Sequence, residues 1–254
     1  MKENLSRKNV NYVIQCNSNL NKLCYYIQMI VVTGASSNHY NTMINMITSF
    51  YRNINNEHSL IVYNLGLENS QWEYLQKTFT KATFLTFDFS KYPSWFNINI
   101  EAGQYAWKPA IIYDTYMANQ GAIITWMDAG NIILDDLTLL ENTIHENGVY
   151  SAISSGNIEK WTYPDTIRYL DCNFTHKDNR NGACIGLDTS NEKSVMLLSD
   201  FYTCAKIREC IAPFGSSREN HRQDQAVFTI LFYKYGFISA DHYIGYSIHN
   251  DVNG

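Results

Sequence analysis

Charge is scarce in this 254-residue chain: 17% of it is Asp, Glu, Lys or Arg, while 45% is hydrophobic and 14% aromatic. Disorder driven by charge excess is thereby excluded, and a large, tyrosine-rich core is expected. Basic excess is also missing. The formal net charge of −5 argues against duplex DNA or another bulk nucleic acid as partner, which would need clustered Lys and Arg, though a local basic site can still hold one diphosphate. Long apolar runs are absent, and the first apolar stretch, residues 25–33, falls far short of the roughly 20 residues a membrane-spanning helix requires. With a polar, charged start and no leader pattern, a soluble, cytoplasmic protein is the expectation. The six cysteines (Cys16, Cys24, Cys172, Cys184, Cys204 and Cys210) form no CxxC pair, which excludes a zinc ribbon or thioredoxin-like motif. In a chain of this size they are expected to be reduced, buried thiols. There is no G-x-S-x-G elbow, GK[ST] phosphate loop, recognisable Cys and His protease pair, internal repeat or low-complexity tract.

What the chain does contain is alternation. Residues 27–33 have the continuous, β-branched apolar character of a strand buried on both faces, and residues 34–38 break it. From His39 to Tyr51, Met43, Met46, Ile47 and Phe50 recur at i, i+3, i+4 and i+7, one face of a helix. Residues 60–63 read as a second strand. Ser70-x-x-Glu73 has the form of a capping box, opening a helix with Trp72, Leu75 and Phe79 on one side. Residues 83–87 and 122–127 read as the third and fourth strands. Between them Pro109 sits in the first turn of a helix that runs to about Asn119 and is ended by Gly121. Asp135 and Asp136 suit the positive end of a further helix, with Leu137, Leu140 and Ile144 on one face and Gly148 as its stop.

Such alternation predicts an α/β fold, a mostly parallel central sheet with helices on both faces, whose ligands bind beyond the carboxyl ends of the strands. The loops after Thr33, Tyr63, Phe87 and Met127 are therefore the places to look. The rest is less regular. Residues 171–182 read as an exposed polar loop, and the clearest helix runs from Asp224 to Tyr235 with Val227, Ile230 and Leu231 inward and Gly236 as its stop. The length suits a single domain, expected over residues 25–254 after a polar segment at residues 1–24.

Asp128 follows the fourth strand directly, in Trp126-Met127-Asp128-Ala129-Gly130-Asn131. A carboxylate delivered there can bind a divalent ion that bridges two phosphates and neutralises a departing diphosphate. The segment resembles the DxD region of GT-A glycosyltransferases, most closely family 8 and a related uncharacterised nematode family. Tyr105-Ala106-Trp107-Lys108-Pro109 is similar to the basic helix start that contacts the sugar donor in those families, and His221-Arg222-Gln223-Asp224-Gln225 to the later DQ motif beside the sugar's reactive face.

The resemblance implies a GT-A-like, Rossmann-like domain moving a sugar from a nucleotide-diphosphate sugar, a UDP-sugar first among them, to a glycan, protein or small-molecule acceptor. It implies Thr33 and Gly34 against the nucleotide, Lys108 facing the donor phosphates or sugar, Asp128 on the donor, and Asp224 and Gln225 near the anomeric carbon and acceptor. Mn²⁺ or Mg²⁺ is the implied cofactor, held by Asp128 with Asn131 and a late histidine, His249 or His242. Position 130, where a DxD carries its second carboxylate, is glycine. Asp128 binding ribose or sugar hydroxyls without an ion therefore stays open, as does a module that binds without catalysing. Whether the anomeric centre is retained or inverted is not legible, and neither is the oligomeric state.

Plainer roles stand beside these: Asp128 capping the next turn, Asp224 as a helix N-cap, Lys108 as a solvated charge. A competing resemblance is to short-chain NAD(P)-dependent dehydrogenases, through Thr33-Gly34-Ala35-Ser36-Ser37 and the Tyr202-x-x-x-Lys206 proton-transfer spacing. The further glycines that let a backbone approach a dinucleotide are replaced by Asn38 and Tyr40.

Overall fold

The computed structural model describes residues 29–54 and 58–248; the 1–24 segment, Cys16, Cys24 and His249 lie outside the described residues. Its first half runs β1 (Met29–Ala35), α1 (Tyr40–Asn53), β2 (Ser59–Asn64), α2 (Asn69–Thr78), β3 (Thr83–Thr86), α3 (Trp107–Ala118), β4 (Ile123–Met127), β5 (Ile132–Ile133) and α4 (Thr138–Asn147). The second half runs β6 (Val149–Tyr150), β7 (Ile153–Asn157), α5 (Ile158–Trp161), α6 (Pro164–Tyr169), β8 (Asp178–Arg180), β9 (Cys184–Asp188), α7 (Glu192–Ala205), α8 (Arg208–Ile211), α9 (Gln223–Lys234) and β10 (Tyr246–Ser247).

Six strands form the main sheet in the order β3-β2-β1-β4-β9-β6. The first four are parallel, with Val31 of β1 paired to Leu60 on one side and Thr125 on the other. β9 runs antiparallel to both its neighbours. Because side chains alternate across a strand, β1 and β4 feed two cores. Ile30, Val32, Ile124 and Trp126 pack with α3, α7 and α9, whereas Met29, Val31, Ile123 and Met127 pack with α1, α2 and α4. The amphipathic stripe read for α1 is the buried one: Met43, Met46, Ile47 and Phe50 are all at most 2% exposed. The sheet is thus mostly parallel and covered on both faces.

Three expectations are corrected. Residues 171–182 are an exposed loop only in their first part: residues 171–177 are turn and coil with Asp171, Asn173, His176 and Lys177 exposed, whereas β8 follows and Asn179, Arg180 and Asn181 are buried. Polar residues are tolerated there because each is paired internally: Arg180 donates to the Ser151 carbonyl at 3.0 Å and to Asp241 Oδ1 at 3.2 Å, and its guanidinium lies over the Phe232 ring. The capping box of α2 is formed two residues earlier, by Glu68 and Gln71, not by Ser70 and Glu73. Finally, Cys204 and Cys210 are joined by a disulfide between the end of α7 and α8, where the turn brings their Cα atoms to 5.3 Å. Cys184 is a buried free thiol and Cys172 a partly buried one. Among the described residues no helix is long and apolar enough to cross a membrane.

Candidate functional site

At the carboxyl edge of the sheet, β1 and β4 end beside a cavity of about 680 Å³. The end of β1 contributes Gly34 and Ala35, the segment after it Ser36, Asn38 and His39, and the loop after β4 Asp128 to Asn131. Gly34 packs closely against β2: a Cβ there would come within 3.2 Å of the Tyr63 Cβ and 3.3 Å of its carbonyl oxygen. Thr33, expected at the nucleotide, is completely buried and does not line the cavity. Of the loops singled out from the strand order, the one after β3 opens instead onto a second cavity, lined by Phe87, Phe89 and Pro93, which shares Leu65 and Ile98 with the first.

Lys108 is the centre of the site. It occupies the first turn of α3, is 3% exposed, and is therefore no solvated surface charge. Its ammonium lies 3.1 Å from Asp128 Oδ1 and 2.8 Å from Asp224 Oδ2, and it donates to the Gly182 carbonyl at 3.0 Å. Two carboxylates and a carbonyl thus surround the ammonium. Burial alone would disfavour the ammonium, but Asp128 and Asp224 outweigh it and hold its pKa above the ordinary lysine value. Lys108 is thus engaged with carboxylates, where the expectation was that it faces the donor phosphates or sugar.

Asp128 sits at the end of β4 with its side chain 40% exposed, and its Oδ1 also accepts from the indole N–H of Trp126 at 2.6 Å. Asp224 lies in the first turn of α9, where the helix dipole favours a carboxylate, and Arg222 holds the N-cap position. Burial pushes the Asp224 carboxyl up from the usual carboxylate range while Lys108 pulls it back. Gln225 lines the same wall. Gly182 fits between these groups: a Cβ on it would stand 3.1 Å from the Gln225 Cβ and 3.4 Å from Asp224 Oδ2. Asn131 is buried and donates its side-chain N–H to the Ala183 carbonyl at 2.8 Å, fastening the β4 loop to β9. Gly34, Lys108, Asp128, Asn131, Asp224 and Gln225 thus share one cavity. His242 is exposed and outside its lining.

Among the described residues, which exclude His249, the donor set does not fit a divalent ion. Position 130 offers no carboxylate, and among the described residues no three His, Cys, Asp or Glu side chains cluster as ligands. A cation on Asp128 would also approach the Lys108 ammonium. Two like unit charges 4 Å apart repel by about 4 kcal/mol at an effective dielectric of 20, and a divalent ion doubles that. The dehydrogenase pair does not assemble at the cavity either. Tyr202 stacks on Tyr113 at 4.3 Å in α7, with Lys206 folded over its ring, and neither lines the cavity.

Two cations that the motif reading passed over do line it. Arg218 lies over the Tyr105 ring at 5.1 Å, and Arg222 over the Trp161 ring at 4.0 Å. Their i, i+4 spacing was the available signal. The approach to Tyr105 is unusual: Glu101, Ala102, Gly103, Gln104 and Tyr105 have φ of 48, 53, 62, 51 and 54°, a full left-handed turn immediately before α3. Gly103 is obligatory in it, because a Cβ would run into the Phe96 carbonyl.

A sequence-family profile described as "Protein of unknown function (DUF1647)" matches residues 8–113, under half of the chain. No curated protein matches the sequence. Solved structures do match the fold. The bifunctional glycosyltransferase WbbM in its apo form aligns over 85% of this chain at a TM-score of 0.51 and 12% identity; this chain spans 39% of that protein. The galactosyltransferase LgtC, solved with donor and acceptor sugar analogues, aligns over 80% of this chain and 70% of its own at 0.50 and 16%. Mouse xyloside xylosyltransferase 1, apo form, aligns over 82% and 81% at 0.50 and 11%. The fold is GT-A-like.

Proposed function

We propose that this chain is a glycosyltransferase that binds a nucleotide-diphosphate sugar in the cavity at the carboxyl edge of its sheet and transfers the sugar to a glycan, protein or small-molecule acceptor. The observation that carries the reading is Lys108 bridging Asp128 and Asp224: three segments distant in sequence converge on one floor, inside a fold shared with solved glycosyltransferases. On this reading Gly34 and Ser36 border the nucleotide, and Asp128, the more open carboxylate, contacts ribose or sugar hydroxyls. Asp224 and Gln225 border the reacting carbon, with Asp224 held by Lys108 in a fixed orientation. The described part of the chain acts as one domain. A UDP-sugar is the first donor to try.

Asp128→Asn removes the charge and keeps the shape at a half-open position, so transfer from the productive donor should fall by about 100-fold or more, the scale of losing one electrostatic contact to the transition state, with the unfolding midpoint preserved. The donor itself is found by thermal shift with UDP, GDP, UDP-sugars, NAD and NADP, because a ligand that binds only the native state raises its stability. Full activity in Asp128→Asn rejects this site. Stabilisation by NADP alone rejects the reaction class, and nucleotide-sugar binding without turnover across a broad acceptor panel identifies a binding module.

A further inference from the structure

Resting on the glycosyltransferase reading, we infer that the diphosphate of the donor is neutralised by Arg218 and Arg222 rather than by a divalent ion. Both arginines line the cavity, and among the described residues no carboxylate pairs with either. The segment that carries them is built to present them together. The Ser217 N–H donates to Asn220 Oδ1 at 2.7 Å, the His221 N–H donates to the Ser217 carbonyl at 2.8 Å, and the Arg222 N–H donates to the Trp161 carbonyl at 3.0 Å. These bonds fix the turn around residues 217–221 and fasten Arg222 to the end of α5, and both arginines line the same cavity. Each guanidinium is laid on an aromatic face, Tyr105 or Trp161, which fixes its plane while leaving its N–H edge for an anion. The two are close enough that burial and then the Arg218 charge lower the pKa of Arg222.

Across the cavity, one oxygen of Asp128, Oδ1, is already engaged by the Lys108 ammonium and the Trp126 indole, so a cation on this carboxylate would sit beside a fixed positive charge. Lys108 therefore serves the carboxylates, and the arginines are the positive charge left for a ligand. A planar guanidinium takes two phosphate oxygens at once, so a pair of them suits a diphosphate. Charge growing on the leaving diphosphate as the glycosidic bond breaks falls on the same two side chains.

The test is isothermal titration of the full chain with UDP, GDP and inorganic pyrophosphate in EDTA, repeated for the nucleotides with Mn²⁺. At least one of these ligands should bind in EDTA, with Mn²⁺ changing the nucleotide affinity by less than about threefold. In Arg218→Gln/Arg222→Gln that affinity should drop by about tenfold or more, with a shallower salt dependence and an unchanged unfolding midpoint. Arg218→Lys/Arg222→Lys keeps the charge and should recover part of the loss. Binding that appears only with Mn²⁺ overturns the inference and leaves the glycosyltransferase reading standing. Binding in EDTA that ignores the double Gln substitution overturns the arginine assignment. Failure of every ligand under both conditions overturns this inference and the donor reading together.

Discussion

Lys108 Nζ stands 2.8 Å from Asp224 Oδ2, so the first turn of α3 and the first turn of α9 meet as an ion pair beneath the cavity, with Asp128 completing it from the end of β4. Breaking a buried pair by removing one partner leaves the other charge uncompensated, at a cost of about 3–5 kcal/mol. Lys108→Met should lose stability on that scale in urea titrations, and Lys108→Met/Asp224→Asn should recover a good part of it. A single variant within about 1 kcal/mol of the parent would show that the pair holds nothing together.

His221 gives a pH dependence of known sign. It is fully buried, accepts the Tyr163 N–H at Nδ1 (3.2 Å) and faces the Ile211 carbonyl through Nε2 (2.8 Å), an arrangement that uses the neutral ring. Burial pushes its pKa from 6.5 down to about 4. The unfolded chain takes up a proton below 6.5 that the folded chain refuses until about 4. Stability fully present above 6.5 is therefore lost as pH falls through that window, by about 3 kcal/mol for this group. Denaturation curves at pH about 7 and about 4.5, for the parent and for His221→Gln, separate this share from other acid effects. An identical pH slope in the two proteins would remove His221 from the account.

The left-handed turn before α3 stores strain at Ala102, where φ is 53°. A left-handed residue with a Cβ costs about 1–2 kcal/mol, and the added freedom of glycine in the unfolded chain takes back about 0.4–1. Ala102→Gly should thus raise stability by up to about 1 kcal/mol, read as a higher melting temperature. A lower one would mean that the Ala102 methyl packs for more than its backbone loses.

Cys204 and Cys210 close a short loop, and the chain-entropy model assigns such a crosslink roughly 2 kcal/mol. Reductant should lower the unfolding midpoint of the parent and leave Cys204→Ala/Cys210→Ala unaffected. Bonds of this kind persist in oxidising compartments, against the cytoplasmic expectation. Differential alkylation of the natively expressed protein checks it: labelling of both thiols without reductant would mean that the pair is kept open where the protein works.

In the first half of the fold α1 was legible because it is one-sided. Met43, Met46, Ile47 and Phe50 face a core on one side only, so their periodicity survives in the sequence. α9 is buried nearly all round, from Gln223 and Asp224 to Phe232, so the inward face read at Val227, Ile230 and Leu231 was only part of what it buries. β8 was missed because Asp178-Asn179-Arg180 is a polar strand whose partners, among them Ser151 and Asp241, come from elsewhere in the chain. Leu197, Leu198, Phe201 and Cys204 in α7 did carry a helical period that went unread. At the site, the residue types at positions 108, 128 and 224 were recognisable as segments. Their mutual contact was not, because an ion pair between distant residues leaves no trace in any one of them.

The match of the family profile to residues 8–113 stops inside α3. That boundary separates β1 from β4, its partner at the middle of the sheet, and it separates the Lys108 ammonium from all three of its acceptors. A polypeptide cut there would leave Lys108 without any of its acceptors and expose one flank of its central strand. The matched stretch is therefore not a self-contained folding unit.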